Sequence, residues 1–229
     1  MPTSSSGLAT KSLAVLRKDI LSEFRTRYAI NAILLFGVTT LTVVSFSVGQ
    51  LGLPADVYAA LFWIIIFFSA MSGLAQVFVK EEESRTAIVL RLTSDPTAIY
   101  LGKLVFNFLL LALLELVITP LFFVLTDARM ANVGLFLIVL LVGSLGLAGA
   151  STLIAAIISK ASIKGALFAV LSFPILLPLL IGAIAGTRKA LGVTESPFSA
   201  AAPELQLLIS YAVVMITASL LLFEFVWEE

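Results

Sequence analysis

Two places in this sequence put ionisable side chains where they can do more than face water. The first is Glu115, alone in the apolar run LLLALLELVITP over residues 109–120. A carboxyl group at that depth in a hydrophobic segment is costly to keep, and such groups turn toward a bundle interior, a partner or a water-filled cavity. One role is a polar contact that changes during a transport or release cycle. The other is a protonated carboxyl that hydrogen-bonds a neighbouring helix and fixes packing. The residues alone leave both open. The second place is the charged segment Lys80–Lys103, which begins KEEES, continues RTAIVLRL and breaks at Thr93-Ser94-Asp95-Pro96. Glu82/Glu83, Arg85, Val89 and Leu92 share helical spacing, and proline stops a helix and disfavours it in the preceding residue, so a short helix ending at Asp95 is expected. Its apolar patch of Val89, Leu90 and Leu92, flanked by Glu81, Glu82, Glu83, Arg85 and Arg91, suits docking into a groove on a partner protein. A solvated loop resting on lipid headgroups is the plainer alternative.

Other chemistry has little to build on. The chain contains no histidine and no cysteine. That removes disulfides, thiolate nucleophiles, the usual zinc sites and the commonest haem-iron ligand. No phosphate-binding glycine-rich loop and no carboxylate pair is present, so any energy input has to come from another chain or from an ion gradient. A membrane enzyme built on Glu115 alone would lack a second catalytic group. Lys plus Arg and Asp plus Glu balance at 14 each, so net charge points to no nucleic-acid partner.

The elements that must position these residues follow from hydropathy. Of the 229 residues, 60% are hydrophobic, and the mean hydropathy is +1.13, more apolar surface than a soluble domain of this size can hide. Spanning a hydrocarbon core needs roughly 20 apolar residues in a helix. Six segments qualify: Ile30–Val48, Val57–Val79, Leu104–Leu125, Val133–Ile158, Gly165–Ala185 and Leu205–Trp227. The expected fold is an all-α polytopic membrane protein. Residues 1–10 read as a flexible polar tail and residues 11–229 as a single transmembrane domain.

Lys and Arg near the spans set the orientation. With the N-terminus in the cytoplasm, that side holds Lys11, Arg17, Lys18, Arg25, Arg27, Lys80, Arg85, Arg91, Lys103, Lys160 and Lys164, while the other holds Arg129, Arg188 and Lys189. Both termini are therefore expected in the cytoplasm. Before the first span, Leu13, Leu16, Ile20 and Phe24 recur at helical spacing among basic residues. They predict an amphipathic helix lying in the membrane interface. Pro120 in the third span, and Pro174 and Pro178 in the fifth, should bend their helices, as at moving or cavity-lining positions or as plain bends. Ser144, Ala148, Thr152 and Ala156 fall four apart on the fourth span, a stripe of small residues that predicts close helix packing.

In order and spacing these features resemble a known family. A basic interfacial helix, six spans, the acidic run Glu81-Glu82-Glu83-Ser84-Arg85, Leu101-Gly102-Lys103 entering the third span, Glu115 to Pro120, Pro174-Ile-Leu-Leu-Pro178 and the ending Leu222-Phe223-Glu224-Phe225-Val226-Trp227-Glu228-Glu229 are similar to the permease subunits of ABC-2-type exporters. Within them they most resemble the CcmB family, the cytochrome c maturation permeases also called haem exporter protein B. The family usually has an Arg where Glu82 stands and a Gly where Arg85 stands. The resemblance implies an ABC-2-type permease fold in a bacterial inner membrane. It also implies that Lys80–Asp95, with Glu81, Glu82, Glu83, Arg85, Val89, Leu90, Arg91, Leu92 and Asp95, is the coupling helix for a separate ATPase (CcmA). Further implied partners are a haem-handling subunit (CcmC), a small accessory subunit (CcmD) and a periplasmic haem chaperone (CcmE). ATP and haem would then sit on those partners and no cofactor on this chain, whose remaining haem-ligating residue types are Met, Tyr and Lys. An ABC-2-type exporter permease for a lipid, glycan or drug would share the architecture.

Overall fold

The computed structural model describes residues 5–48, 52–74, 76–83, 86, 90, 92, 94–159, 164–193 and 196–228. Most of the described residues are helical, with no strand among them. In chain order the helices are α1 Ser5–Thr26, α2 Tyr28–Val48, α3 Ala55–Leu74, α4 Gln76–Glu83, α5 Pro96–Thr126, α6 Val133–Ile158, α7 Lys164–Leu191, α8 Pro197–Ala200 and α9 Ala202–Glu228. Six stretches are long and apolar enough to cross a membrane: α2, Ala55–Val79 across α3 and α4, α5, α6, Val170–Leu191 of α7 and Ala202–Trp227 of α9. The six-span bundle read from hydropathy is therefore borne out.

α1 breaks into α2 at one residue. Arg27 takes the left-handed conformation (φ 52°), which releases the chain into a new direction while its N–H still bonds Glu23 O at 2.6 Å. The Glu23 side chain then turns onto the new helix and accepts from Ile30 N at 2.9 Å, satisfying one of the free donors of its first turn. Residues 5–10 are already helical, so the polar tail expected over residues 1–10 is helix from Ser5 onward, continuous with the amphipathic segment it leads into. Val15, Asp19 and Glu23 of α1 are buried against the bundle, while Leu13, Arg17, Leu21 and Phe24 share an exposed face with Lys18 and Arg25 along one edge of it. Gly102 on α5 makes the contact possible, since a Cβ there would lie 2.8 Å from Ser12 O and from Val15.

α5 starts eight residues before the expected third span. Asp95 is extended (φ −66°, ψ 144°), Pro96 opens the first turn with its φ already helical, and the helix runs 31 residues to Thr126. The expected start at Leu104 was late because Lys103 was read as a loop residue, whereas it is buried inside the helix bundle. α7 likewise continues past Ala185 to Leu191, since nothing in GTRKAL over residues 186–191 breaks a helix. α6 opens on Asn132, whose side chain accepts from Leu135 N at 2.8 Å.

α6 is the central helix and packs on α5, α7 and α9. Its glycines admit large side chains: a Cβ at Gly143 would lie 2.5 Å from the Trp63 ring, and Trp63 in turn donates to Thr187 Oγ1 at 2.8 Å on α7. Phe62, Phe122, Phe123 and Phe136 stack edge-on around that joint, and Phe78, Tyr100, Phe223 and Trp227 form a second aromatic cluster nearer α1. α2 and α9 are the most peripheral spans and present Leu35, Phe46, Val213, Leu221 and Phe225 outward, as lipid-facing helices do.

Candidate coupling site and polar seam

At the α1 end of the bundle, four charged side chains from three helices meet. Lys103 on α5 is 1% exposed, and its Nζ lies 2.8 Å from Val77 O, 2.7 Å from Glu81 Oε1 and 3.2 Å from Asp19 Oδ2, over the Phe78 ring at 5.0 Å. Lys18 closes the group, 3.0 Å from Asp19 Oδ1 and hydrogen-bonded to Glu81. A buried ammonium is tolerated only when paired and hydrogen-bonded, and Lys103 has both. Burial pulls the Lys18 ammonium down from its ordinary value, but Asp19 and Glu81 beside it outweigh that and hold it above. At the N-cap of Lys103's helix, Asp95 spends its carboxylate on Lys11 Nζ at 2.8 Å and makes no cap bond to its own helix.

This clasp grips both stems of the segment between α4 and α5. Glu81 lies in the last turn of α4, Asp95 stands at the N-cap of α5 with Lys103 further along that helix, and both sides are tied to α1. Of the residues that the sequence assigns to partner docking, Glu81 is 7% exposed and turned inward. In this arrangement it joins helices and offers nothing to a partner's surface. Glu82 and Glu83 complete α4; their side chains, and Arg85, Val89 and Arg91 altogether, lie outside the described residues. Leu90 is half-buried against the core, Leu92 is 82% exposed, and Leu90 N and Ser94 N bond Thr86 O and Leu90 O at 3.1 Å, the four-residue spacing of a helix.

Deeper in the bundle, Glu115 faces α6 and is hydrogen-bonded to Ser144. Asn107 Nδ2 donates to Thr152 Oγ1 at 2.8 Å on the same pair of helices. Ser144 and Thr152 of the small-residue stripe thus face α5, with Ala148 and Ala156 buried between and beyond them. Pro120, Pro174 and Pro178 all lie on exposed sides of their helices. Pro178 leaves the carbonyl of Pro174 without its helical donor, and in that loosened turn Tyr211 on α9 donates to Ile175 O at 2.8 Å. Lys18, Asp19, Lys103 and Asn107 were not singled out from the sequence as site residues. The signal was there: Asp19 and Glu23 are acids in a basic stretch, and Asn107 is an amide inside an apolar span.

A match to the family model described as CcmB protein runs from residue 10 to residue 226. The chain belongs to the CcmB family. Its members are membrane permease subunits of a haem and cytochrome c maturation ABC system, and a permease subunit of this kind is not itself a catalytic enzyme. None of the curated proteins searched matches the chain. The matched region takes in α1 from Thr10 and the six spans as far as Val226, so the clasp and the seam both lie within the family's extent.

Proposed function

We propose that this chain is the energy-coupling permease of a haem-delivery machine, driven by a separate ATPase of the CcmA kind that docks beneath the bundle on the segment joining α4 to α5. The carrying observation is the clasp: a docking segment transmits force only if its stems are fixed, and Glu81, Lys103 and Asp95 fix both stems to α1. Closure of the ATPase then tilts α5, whose first turns carry Lys103, and tilts α6 with it through the polar seam.

The site for ATP belongs to the ATPase and the site for haem to partner subunits of the CcmC, CcmD and CcmE kinds. With no His or Cys this chain has no strong haem-iron ligand to offer. Its work is therefore release of a haem-loaded periplasmic chaperone, with this end of the bundle in the cytoplasm of a bacterium and the membrane its inner one.

Reversing both Glu82 and Glu83 to Lys tests the docking role. Expected is loss of the ATPase from complexes purified in mild detergent, with the permease still in the membrane. Unchanged association and unchanged c-type cytochrome yield would refute it.

A further inference from the structure

Ser144 has one hydroxyl hydrogen and two neighbours that compete for it. Its Oγ lies 2.7 Å from Leu140 O, one turn back on α6, and is also in hydrogen-bond contact with Glu115 Oε1 on α5. A carbonyl oxygen accepts only, and so does an ionised carboxylate. With Glu115 ionised, one of these two contacts has no hydrogen and sets two lone-pair-bearing oxygens against each other in a buried site. With the carboxyl protonated both are satisfied: Glu115 donates to Ser144 Oγ, and Ser144 donates to Leu140 O.

The second rung has the same circuit. Asn107 Nδ2 donates to Thr152 Oγ1 at 2.8 Å, and Thr152 donates back to Ala148 O at 2.6 Å. Asn107 precedes Glu115 by eight residues and Thr152 follows Ser144 by eight, so the two rungs are in register on antiparallel helices. With the Thr152 hydrogen given to Ala148 O, Asn107 meets Thr152 Oγ1 as the donor, through Nδ2. Glu115 occupies the equivalent place, and the second hydroxyl is spoken for in the same way.

Among the described residues of the helices packed on α5, nothing charged offsets an ionised form. α6 and α2 contain no Asp, Glu, Lys or Arg within their bounds. α3 contributes only Asp56, in its first turn, and α9 contributes Glu204, Glu224 and Glu228 near its two ends. On α5 itself the nearest cation is Lys103, twelve residues and ~18 Å away along the helix, and of the charges of α1, Lys18 and Asp19 gather around that same Lys103 while Lys11 pairs with Asp95. We propose that Glu115 stands in the bundle as a neutral carboxylic acid donating to Ser144, a fixed peg that sets the register of α5 on α6, and not as a charge or a proton carrier.

Glu115→Gln, Glu115→Ala and Ser144→Ala variants of the full chain decide it. Glutamine keeps a donor at the same position. Expected are an unchanged melting temperature in detergent for Glu115→Gln, and a fall of about 2–4 °C for each alanine variant, the size of one lost interhelical bond in a chain this long. Infrared spectra of the wild type at neutral pH should show a protonated-carboxyl band that Glu115→Gln lacks, a readout that does not require the altered chain to function. Yield of c-type cytochrome in cells, and its dependence on medium pH, should be the same for Glu115→Gln as for the wild type. The proposal is overturned if the glutamine variant falls with the alanine variants, if its pH dependence changes, if the band is missing from the wild type, or if the alanine variants melt unchanged. None of these outcomes depends on where an ATPase docks.

Discussion

Lys103 Nζ and Glu81 Oε1 are 2.7 Å apart, joined across the 22-residue interval that separates the end of one membrane helix from the start of the next. With both side chains withdrawn from water, the pair closes that segment into a loop with a fixed neck. Lys18 and Asp19 on α1 share the same oxygens and the same ammonium, so the neck is three helices wide.

Breaking the neck from one side should be costly. Lys103→Met leaves Glu81 and Asp19 with one less cation in a site that excludes water, and removing one partner of a buried pair typically costs about 3–5 kcal/mol. The expected outcome is a melting temperature lower by about 6–20 °C, at roughly 2–4 °C per kcal/mol for a chain of this size. Adding Glu81→Gln to Lys103→Met should restore part of that loss, because it removes the stranded charge. Additive losses in the double variant, measured by thermal scanning in detergent, would mean that the two residues do not act as a pair.

Lys18 gives the clasp an alkaline limit. Its pKa is held above the ordinary 10.5, so the unfolded chain loses this proton at lower pH than the folded one. The stabilisation is complete below the ordinary value and is lost as pH rises through the folded one. Melting temperature should therefore show no Lys18-dependent change across neutral pH, and the difference between wild type and Lys18→Met should shrink in strong alkali. Lys18 is 47% exposed, so the effect is small.

The spans could be read from sequence because each is a nearly unbroken apolar run, and lipid leaves few other structures for such a run. The clasp could not be read that way. Lys11 and Asp95 are 84 residues apart, and Lys18 and Glu81 are 63 apart, so no local pattern joins them. Lys103 looked like the last residue of a loop because a charge before an apolar run ordinarily faces water, and only the fold shows it pointing inward. Glu81 looked like part of an acidic docking surface for the same reason. On the fourth span the small-residue stripe pointed to close packing, but its partner did not appear in the pattern, since Asn107 and Glu115 are isolated polar residues among leucines.

The absence of cysteine makes sidedness directly measurable. Leu92, in the segment between α4 and α5, is 82% exposed, and Val193, beyond the end of α7, is 97% exposed. Val193 belongs to the opposite end, where Asn132 N bonds Ala190 O at 2.9 Å and Lys189 pairs with Glu204 at 2.7 Å. Leu92→Cys and Val193→Cys replace solvent-facing side chains and touch no buried group, so neither should disturb folding. In right-side-out vesicles a membrane-impermeant maleimide should label Val193→Cys at once and Leu92→Cys only after the membrane is opened. The eleven-to-three asymmetry of basic residues demands that order, because moving Lys and Arg across the membrane is what topology avoids. Labelling of Leu92→Cys in sealed vesicles would put the α1 end outside the cell, beyond the reach of any cytoplasmic ATPase, and would remove the proposed coupling role while leaving the seam between α5 and α6 intact.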